Sequence, residues 1–169
     1  MLGHVDFGLV VWYNPFVHCL TFRRAVRNIY IGKVSLMDNC IFCKIVSGEF
    51  SSWKIYEDEH TYAFLDINPA NEYHTLVIPK KHYVDIFDIP EEEAAAVIKT
   101  VKKITSLYKD KLGIKNVQII NSSGAEAQQD VFHIHFHIVP RFSGDGQDIK
   151  WKTHNEWCSR FDELLLKLK

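Results

Sequence analysis

The chain is 169 residues long, near neutral at a formal net charge of −1 and 47% hydrophobic, which fits one globular domain with a substantial core. No basic excess points to a nucleic acid as partner. Charge is uneven along the chain, because residues 1–36 hold Arg23, Arg24, Arg27 and Lys33 against Asp6, a net +3, leaving −4 for the remainder.

That first segment, MLGHVDFGLVVWYNPFVHCLTFRRAVRNIYIGKVSL, has an apolar run from Phe7 to Tyr13 that is too short to span a bilayer and is followed by Pro15, so no membrane is expected as partner. The run precedes the arginines, the reverse of a secretory signal, and its arginine-bearing, acid-poor composition only loosely matches a transit peptide. Two readings stand. In the favoured one Met37 is the natural start and residues 1–36 are an upstream extension; in the other the segment serves in targeting or docking. The chain then divides into residues 1–36, a main domain over 37–145, and a tail over 146–169.

Cys19, Cys40, Cys43 and Cys158, with no secretory signal, argue for a reducing cytoplasm. Cys40 and Cys43, in NCIFCKI, have the spacing of a zinc knuckle or a redox pair. They are equally explained as two buried thiols packing beside Ile41 and Phe42.

Beyond the cysteines the sequence reads as α+β. Trp53–Glu57 and Thr61–Leu65 have strand character around the polar turn Asp58-Glu59-His60, and Thr75–Ile78 is a β-branched run stopped by Pro79, together an antiparallel meander. Asp88 and Glu91 have capping-box spacing, and Ala94, Val97, Ile98, Val101, Ile104, Thr105 and Tyr108 recur at helical intervals up to Gly113. Val117–Ile120 returns as a strand, and residues 121–129 form a small polar loop. A C-terminal helix over Asn155–Lys169 has an apolar stripe of Trp157, Phe161, Leu164 and Leu165.

The densest signal lies between loop and tail. In Val131–Arg141, VFHIHFHIVPR, His133, His135 and His137 alternate with Phe132, Ile134, Phe136 and Ile138. On a strand this puts three imidazoles on one face and four apolar side chains on the other. Imidazole three times in register points to proton transfer, nucleophilic attack or metal ligation. One alternative is a metal-dependent enzyme using the strand histidines as ligands, as in β-barrel sites, but the helix from Asp88 to Leu112 interrupts a barrel pattern. Another is a nucleotide-binding module without catalysis.

The HIHFHIV motif resembles that of the histidine-triad nucleotide hydrolases and transferases. The likeness extends over about Asp38 to Arg141, through CIFCKIVSGEF, AFLDINPANEYHTLVIPKKH, Asn121 and the approach to Gln129, and the ending Val139-Pro140-Arg141 looks more like bacterial and Fhit-like members than the Hint-like branch. The resemblance implies an antiparallel sheet of about five strands with a long helix and a C-terminal helix, a homodimer, no organic cofactor, and a small purine nucleotide, adenosine first, as substrate. It makes His135 the nucleophile on the α-phosphorus, His137 a phosphate contact, His133 its flanking support and His74 the remaining active-site histidine. Asp66 would take the ribose hydroxyls, and Asn121 and Gln129 would serve the phosphate site. Ile41, Phe42, Phe64 and Ile67 would wall base and ribose. In a subset of members, residues at the places of Cys40, Cys43, His82 and His133 hold one structural zinc.

Three positions depart from the family pattern. Tyr73 stands where Gly or Thr often precedes the histidine, and Gln128 where Gly commonly precedes the glutamine. Asp130 replaces a serine of the Hint-like branch that is suspected of assisting the leaving group, and an anionic residue cannot donate in the same way at neutral pH.

Overall fold

The computed structural model describes residues 39–169, so the expectations on residues 1–36 and on Met37 lie outside the described residues. Helix α1 (Ile41–Val46) leads into strands β1 (Lys54–Glu57), β2 (Thr61–Leu65) and β3 (Thr75–Pro79). The long helix α2 (Glu91–Leu112), strands β4 (Val117–Ile120) and β5 (Phe136–Pro140), and a short helix α3 (Phe161–Leu166) follow. The five strands form one antiparallel sheet in the order β1-β2-β3-β5-β4. Among the described residues no helix is long and apolar enough to cross a membrane.

Both faces of the central strands are covered, which is why Thr61–Phe64 and Thr75–Pro79 are buried at every position. Alternation still sorts the side chains by face. Ala63, Val77, Ile134 and Ile138 pack with Val97, Val101, Ile104 and Tyr108 of α2, while Tyr62, Phe64, Leu76 and Ile78 pack with Cys40 and Phe42 at α1. Burying Phe42 contributes about 1.5–3 kcal/mol, enough to hold a six-residue helix that would not form alone. The α2 core also holds two hydroxyl pairs, Thr61 with Thr100 at 2.8 Å and Thr75 with Tyr108 at 2.6 Å, so Thr100 is a core residue that apolar periodicity passes over.

Three local expectations change. Asp88 does not cap α2: its carboxylate accepts from the Val84 N–H at 2.7 Å, and Pro90 holds the N-cap position without a side-chain bond. The C-terminal stop is as read, with Gly113 left-handed at φ 68°. Strand β5 begins only at Phe136, because the Ile134 N–H is taken by the Tyr83 carbonyl rather than by a strand neighbour. His133 and His135 therefore sit in an extended lead-in to the strand. The tail forms a 3₁₀ segment (Asn155–Arg160) before α3, and Trp157, Phe161 and Leu165 stay about half exposed while Leu164 is half-buried.

Candidate active site

The face of the sheet under α1 carries the histidines. His135 is 2% exposed, and its Nδ1 lies 2.8 Å from the His133 carbonyl oxygen. A carbonyl only accepts, so Nδ1 carries the proton and a neutral His135 has its free lone pair on Nε2. The Phe42 ring meets that imidazole edge-on at 5.3 Å, and the His137 ring lies 4.9 Å from it. Both packings fix its rotamer.

A second chain of bonds fixes His137. The Ala70 N–H donates to His74 Nδ1 at 3.0 Å, so the proton of neutral His74 is on Nε2, which donates to His137 Nδ1 at 2.9 Å. A neutral His137 then carries its own proton on Nε2, as a hydrogen-bond donor. Burial, together with the neighbouring His135 and His74, pushes its pKa down to about 4, and burial lowers that of His74 against the opposing pull of Asp66. Both rings are neutral donors near pH 7.

Asp66 Oδ2 lies 3.6 Å from His74 Nδ1 and 3.9 Å from His137 Nδ1, while its Oδ1 accepts from the Asn68 N–H at 2.8 Å. Oδ1 therefore closes the turn, while Oδ2 is left facing the two histidines. The turn that carries His74 is anchored to the end of β5: Asn71 donates to the Pro140 carbonyl and to Asp145, and Asp145 is held in a two-pronged pair by Arg141. The Arg141 guanidinium holds the Asp145 carboxyl well below the usual carboxylate range. No motif marked this clamp, which joins residues far apart in sequence.

A cavity of about 570 Å³ opens onto these groups. His135, His137 and Asp66 line it, as do Ile41, Phe42, Phe64 and Ile67, so seven residues singled out from sequence share one space. Its wall also includes Phe50, Ser51, Ser52 and Trp53, to which the sequence reading gave no site role. Asn121 and Gln129 lie beside this wall and spend their amides on the chain. Asn121 donates to the His135 carbonyl at 2.9 Å. Gln129 donates to the Val84 and Val131 carbonyls and accepts from the Gly124 N–H. In this structure both shape the backbone that presents His135.

Cys40, Cys43, His82 and His133 converge on the other side of α1. Cys40 Sγ and Cys43 Sγ lie 3.4 and 3.6 Å from His133 Nδ1, and Cys43 Sγ lies 3.4 Å from His82 Nδ1. A tetrahedral zinc with ordinary Zn–S and Zn–N bonds sets sulfur and nitrogen about 3.5 Å apart, so the donor set fits that ion. The second nitrogen of His133 donates to the Pro79 carbonyl at 3.0 Å, leaving Nδ1 bare toward the sulfurs, the orientation a metal-bound imidazole needs. Without an ion, burial and the adjacent Cys40 push the Cys43 thiol up to about 12.

Residues 47–144 match the family model of the HIT domain. A HIT-like protein of Methanocaldococcus jannaschii is 52% identical over 130 residues, covering 77% of this chain and 98% of that protein. A Candida albicans protein named adenosine 5′-monophosphoramidase is 36% identical over 138 residues, covering 78% of this chain and 90% of that protein. Among solved structures, a zinc-bound histidine triad family protein from Mycobacterium smegmatis is similar at a TM-score of 0.63 and 38% identity, covering 78% of this chain and 96% of that one.

Proposed function

The chain belongs to the HIT domain family, and from that membership we infer that it is a hydrolase and nucleotidyl transferase acting at the α-phosphate of an adenosine nucleotide. The observation that carries this reading is His135, whose Nδ1–H is bound by the His133 carbonyl while the ring borders the cavity. The Nε2 lone pair attacks phosphorus, the bond to the leaving group breaks, and the leaving group departs with that electron pair and gains a proton. Water then attacks the nucleotidyl-histidine, the P–N bond breaks, and a nucleoside monophosphate and neutral His135 result. A neutral imidazole approaches a phosphate without charge repulsion, and the N–H of His137 is the donor available to the phosphoryl oxygens. Asp66 is placed to accept from the ribose hydroxyls. The adenosine preference is supported by the name of the Candida albicans relative.

The proposal includes one structural zinc at Cys40, Cys43, His82 and His133, supported by the fit of the donor set and by the zinc-bound relative. Its chemistry there would be that of a closed tetrahedral staple, not of water activation. A reducing cytoplasm belongs with it, since the thiols must stay reduced to hold an ion. A homodimer is also part of it, supported by the edge position of β4 and by Val117 and Ile119, which are 37% and 42% exposed on that strand.

The test is rapid quenching during turnover of an adenosine phosphoramidate, followed by peptide mass analysis. We expect a nucleotidyl adduct on His135, and His135→Ala to lower turnover by several orders of magnitude while the fold persists. Near-native turnover in that variant would exclude His135 as nucleophile. A parallel measurement on a diadenosine polyphosphate shows which leaving group the site prefers.

A further inference from the structure

Five hydrogen-bond donors converge on Asp145, a carboxylate that does not line the nucleotide cavity and whose side chain is 7% exposed. Arg141 supplies Nε and Nη2 at 2.8 and 2.9 Å, and Asn71 supplies Nδ2 at 2.8 Å. The backbone N–H groups of Phe142 and Gln147 complete the set at 3.1 and 3.0 Å. Nη1 of Arg141 donates to Gln118 Oε1 on β4 at 2.9 Å, which fastens the carboxylate to the sheet. Of these donors, Asn71 alone belongs to the turn that carries His74. That turn is gripped again beside it, where Gln147 Nε2 donates to the Ala70 carbonyl at 3.1 Å.

The residue held in this way, Ala70, sets a tautomer. Its N–H donates to His74 Nδ1 and keeps that nitrogen bare of a proton. A competitor stands at the same nitrogen: Asp66 Oδ2, at 3.6 Å, lies just beyond hydrogen-bond distance while Ala70 is in place. An amide donates and a carboxylate accepts, so the two partners require opposite tautomers. With Asp66 as partner, the His74 proton moves to Nδ1 and Nε2 is bare. His137 Nδ1, 2.9 Å from that bare nitrogen, then takes the His137 proton, and His137 Nε2 is left with no hydrogen for a phosphoryl oxygen. The β3–β5 ladder pairs Thr75 with Ile138 and Leu76 with His137, so it fixes both backbones without choosing between these states.

We propose that Asp145, with Arg141 and Asn71, is a positioning residue for the phosphate donor: it keeps the Ala70 N–H on His74 Nδ1 and thereby the His137 proton on Nε2. The proposal rests on the nucleotidyl-transfer reading for its effect on rate and on the hydrogen-bond geometry alone for its effect on the tautomer. Protonation of His74 bypasses the clamp, because an imidazolium donates from both nitrogens, to Asp66 through Nδ1 and to His137 through Nε2. Loss of the clamp brings Asp66 onto His74 and raises the pH at which His74 charges. The other groups facing the pair are His135 and Asp130, both toward His137, which burial keeps neutral down to about 4.

The experiment compares the wild-type chain with Asp145→Ala and Asn71→Ala, by nuclear magnetic resonance of the labelled imidazole nitrogens and by turnover of an adenosine phosphoramidate. At about pH 8, where both rings are neutral, we expect His74 and His137 to carry their protons on Nε2 in the wild-type chain and on Nδ1 in the variants, with the sheet intact. We expect kcat to fall by about tenfold or more and KM to change by less than about threefold, since the lost donor serves transition-state charge. The ratio of wild-type to variant kcat shrinks as pH falls from about 8.5 to about 5.5, because a charged His74 restores the Nε2 proton of His137. A ratio constant across pH, or Nε2 protons retained in the folded variants, overturns the proposal while leaving nucleotidyl transfer intact. Should Asp145→Ala fail to fold, Asn71→Ala, which keeps the pair of Arg141 and Asp145, carries the same test. Absence of turnover in the wild-type chain overturns the reading beneath, and the nitrogen resonances still decide whether the clamp sets the tautomer.

Discussion

At the scale of single residues, the site works by fixing tautomers. His135 presents Nε2 because a carbonyl occupies its other nitrogen, and His137 presents a proton because His74 fills its Nδ1. Asp66 shows how one side chain serves two ends, since Oδ1 closes its own turn and Oδ2 faces the histidines. Asp66→Ala is therefore expected to weaken substrates with an intact ribose more than their 2′,3′-dideoxy analogues, because a lost hydroxyl contact matters only where hydroxyls exist. Steady-state kcat/KM on the two substrate types decides it, and equal losses would return Asp66 to its turn role alone.

At the scale of elements, two features stand out. Helix α1 is tied to the sheet by Phe42 and by the cluster of two sulfurs and two imidazoles. Protein purified without added metal should hold about one zinc per chain, and Cys40→Ser with Cys43→Ser should abolish the metal and lower the melting temperature together. Metal-free protein with an unchanged melting temperature in the double variant would leave the cysteines as core thiols. The second feature is strain in two turns. Tyr73, where the family resemblance implies Gly or Thr, and Gln128, where it implies Gly, are the non-glycine residues with positive φ among those described, at 61° and 66°. Tyr73 recovers some of that cost by packing on Tyr108, ring centroids 5.7 Å apart, whereas Gln128 is exposed at the end of its 3₁₀ turn. Gln128→Gly should stabilise the fold by up to about 1 kcal/mol, read as a higher melting temperature, while Tyr73→Gly gains less because the ring contact is lost.

At the scale of the whole molecule, the buried histidines couple stability to pH. Burial pushes His137 down to about 4 in the folded chain against an ordinary value of 6.5, and His74 is also shifted down, again first by burial. The unfolded chain binds protons that the folded chain refuses, so stability is full above about pH 6.5 and is lost as pH falls toward about 4. The Asp145 carboxylate, held well below its usual range, gives up its contribution only at lower pH and does not account for that window. Melting temperature should therefore decline between pH 6.5 and pH 4, and His137→Asn should flatten the decline. An unchanged slope in the variant would mean that His137 does not remain neutral in the folded state.

The sequence by itself determined most of the elements and the grouping of the histidines on one face. Periodicity located β2 and β4 to the residue and α2 to within three, and alternation in VFHIHFHIVPR placed the imidazoles opposite Ile134 and Ile138, because hydrophobic pattern and element period are local properties. It set His135 on the face opposite Ile134 and Ile138 even though the ladder starts only at Phe136, since an extended chain alternates with or without a strand partner. Tertiary structure alone decided which nitrogens carry protons. Those protons depend on carbonyls and amides brought from elsewhere, the His133 carbonyl for His135 and the Ala70 amide, through His74, for His137. It also decided that Asp88 caps the Val84 amide instead of α2 and that Arg141 and Asp145 hold the turn of His74. Each of these depends on groups that folding brings into contact, and spacing along a chain carries no record of such contacts until the sheet has formed.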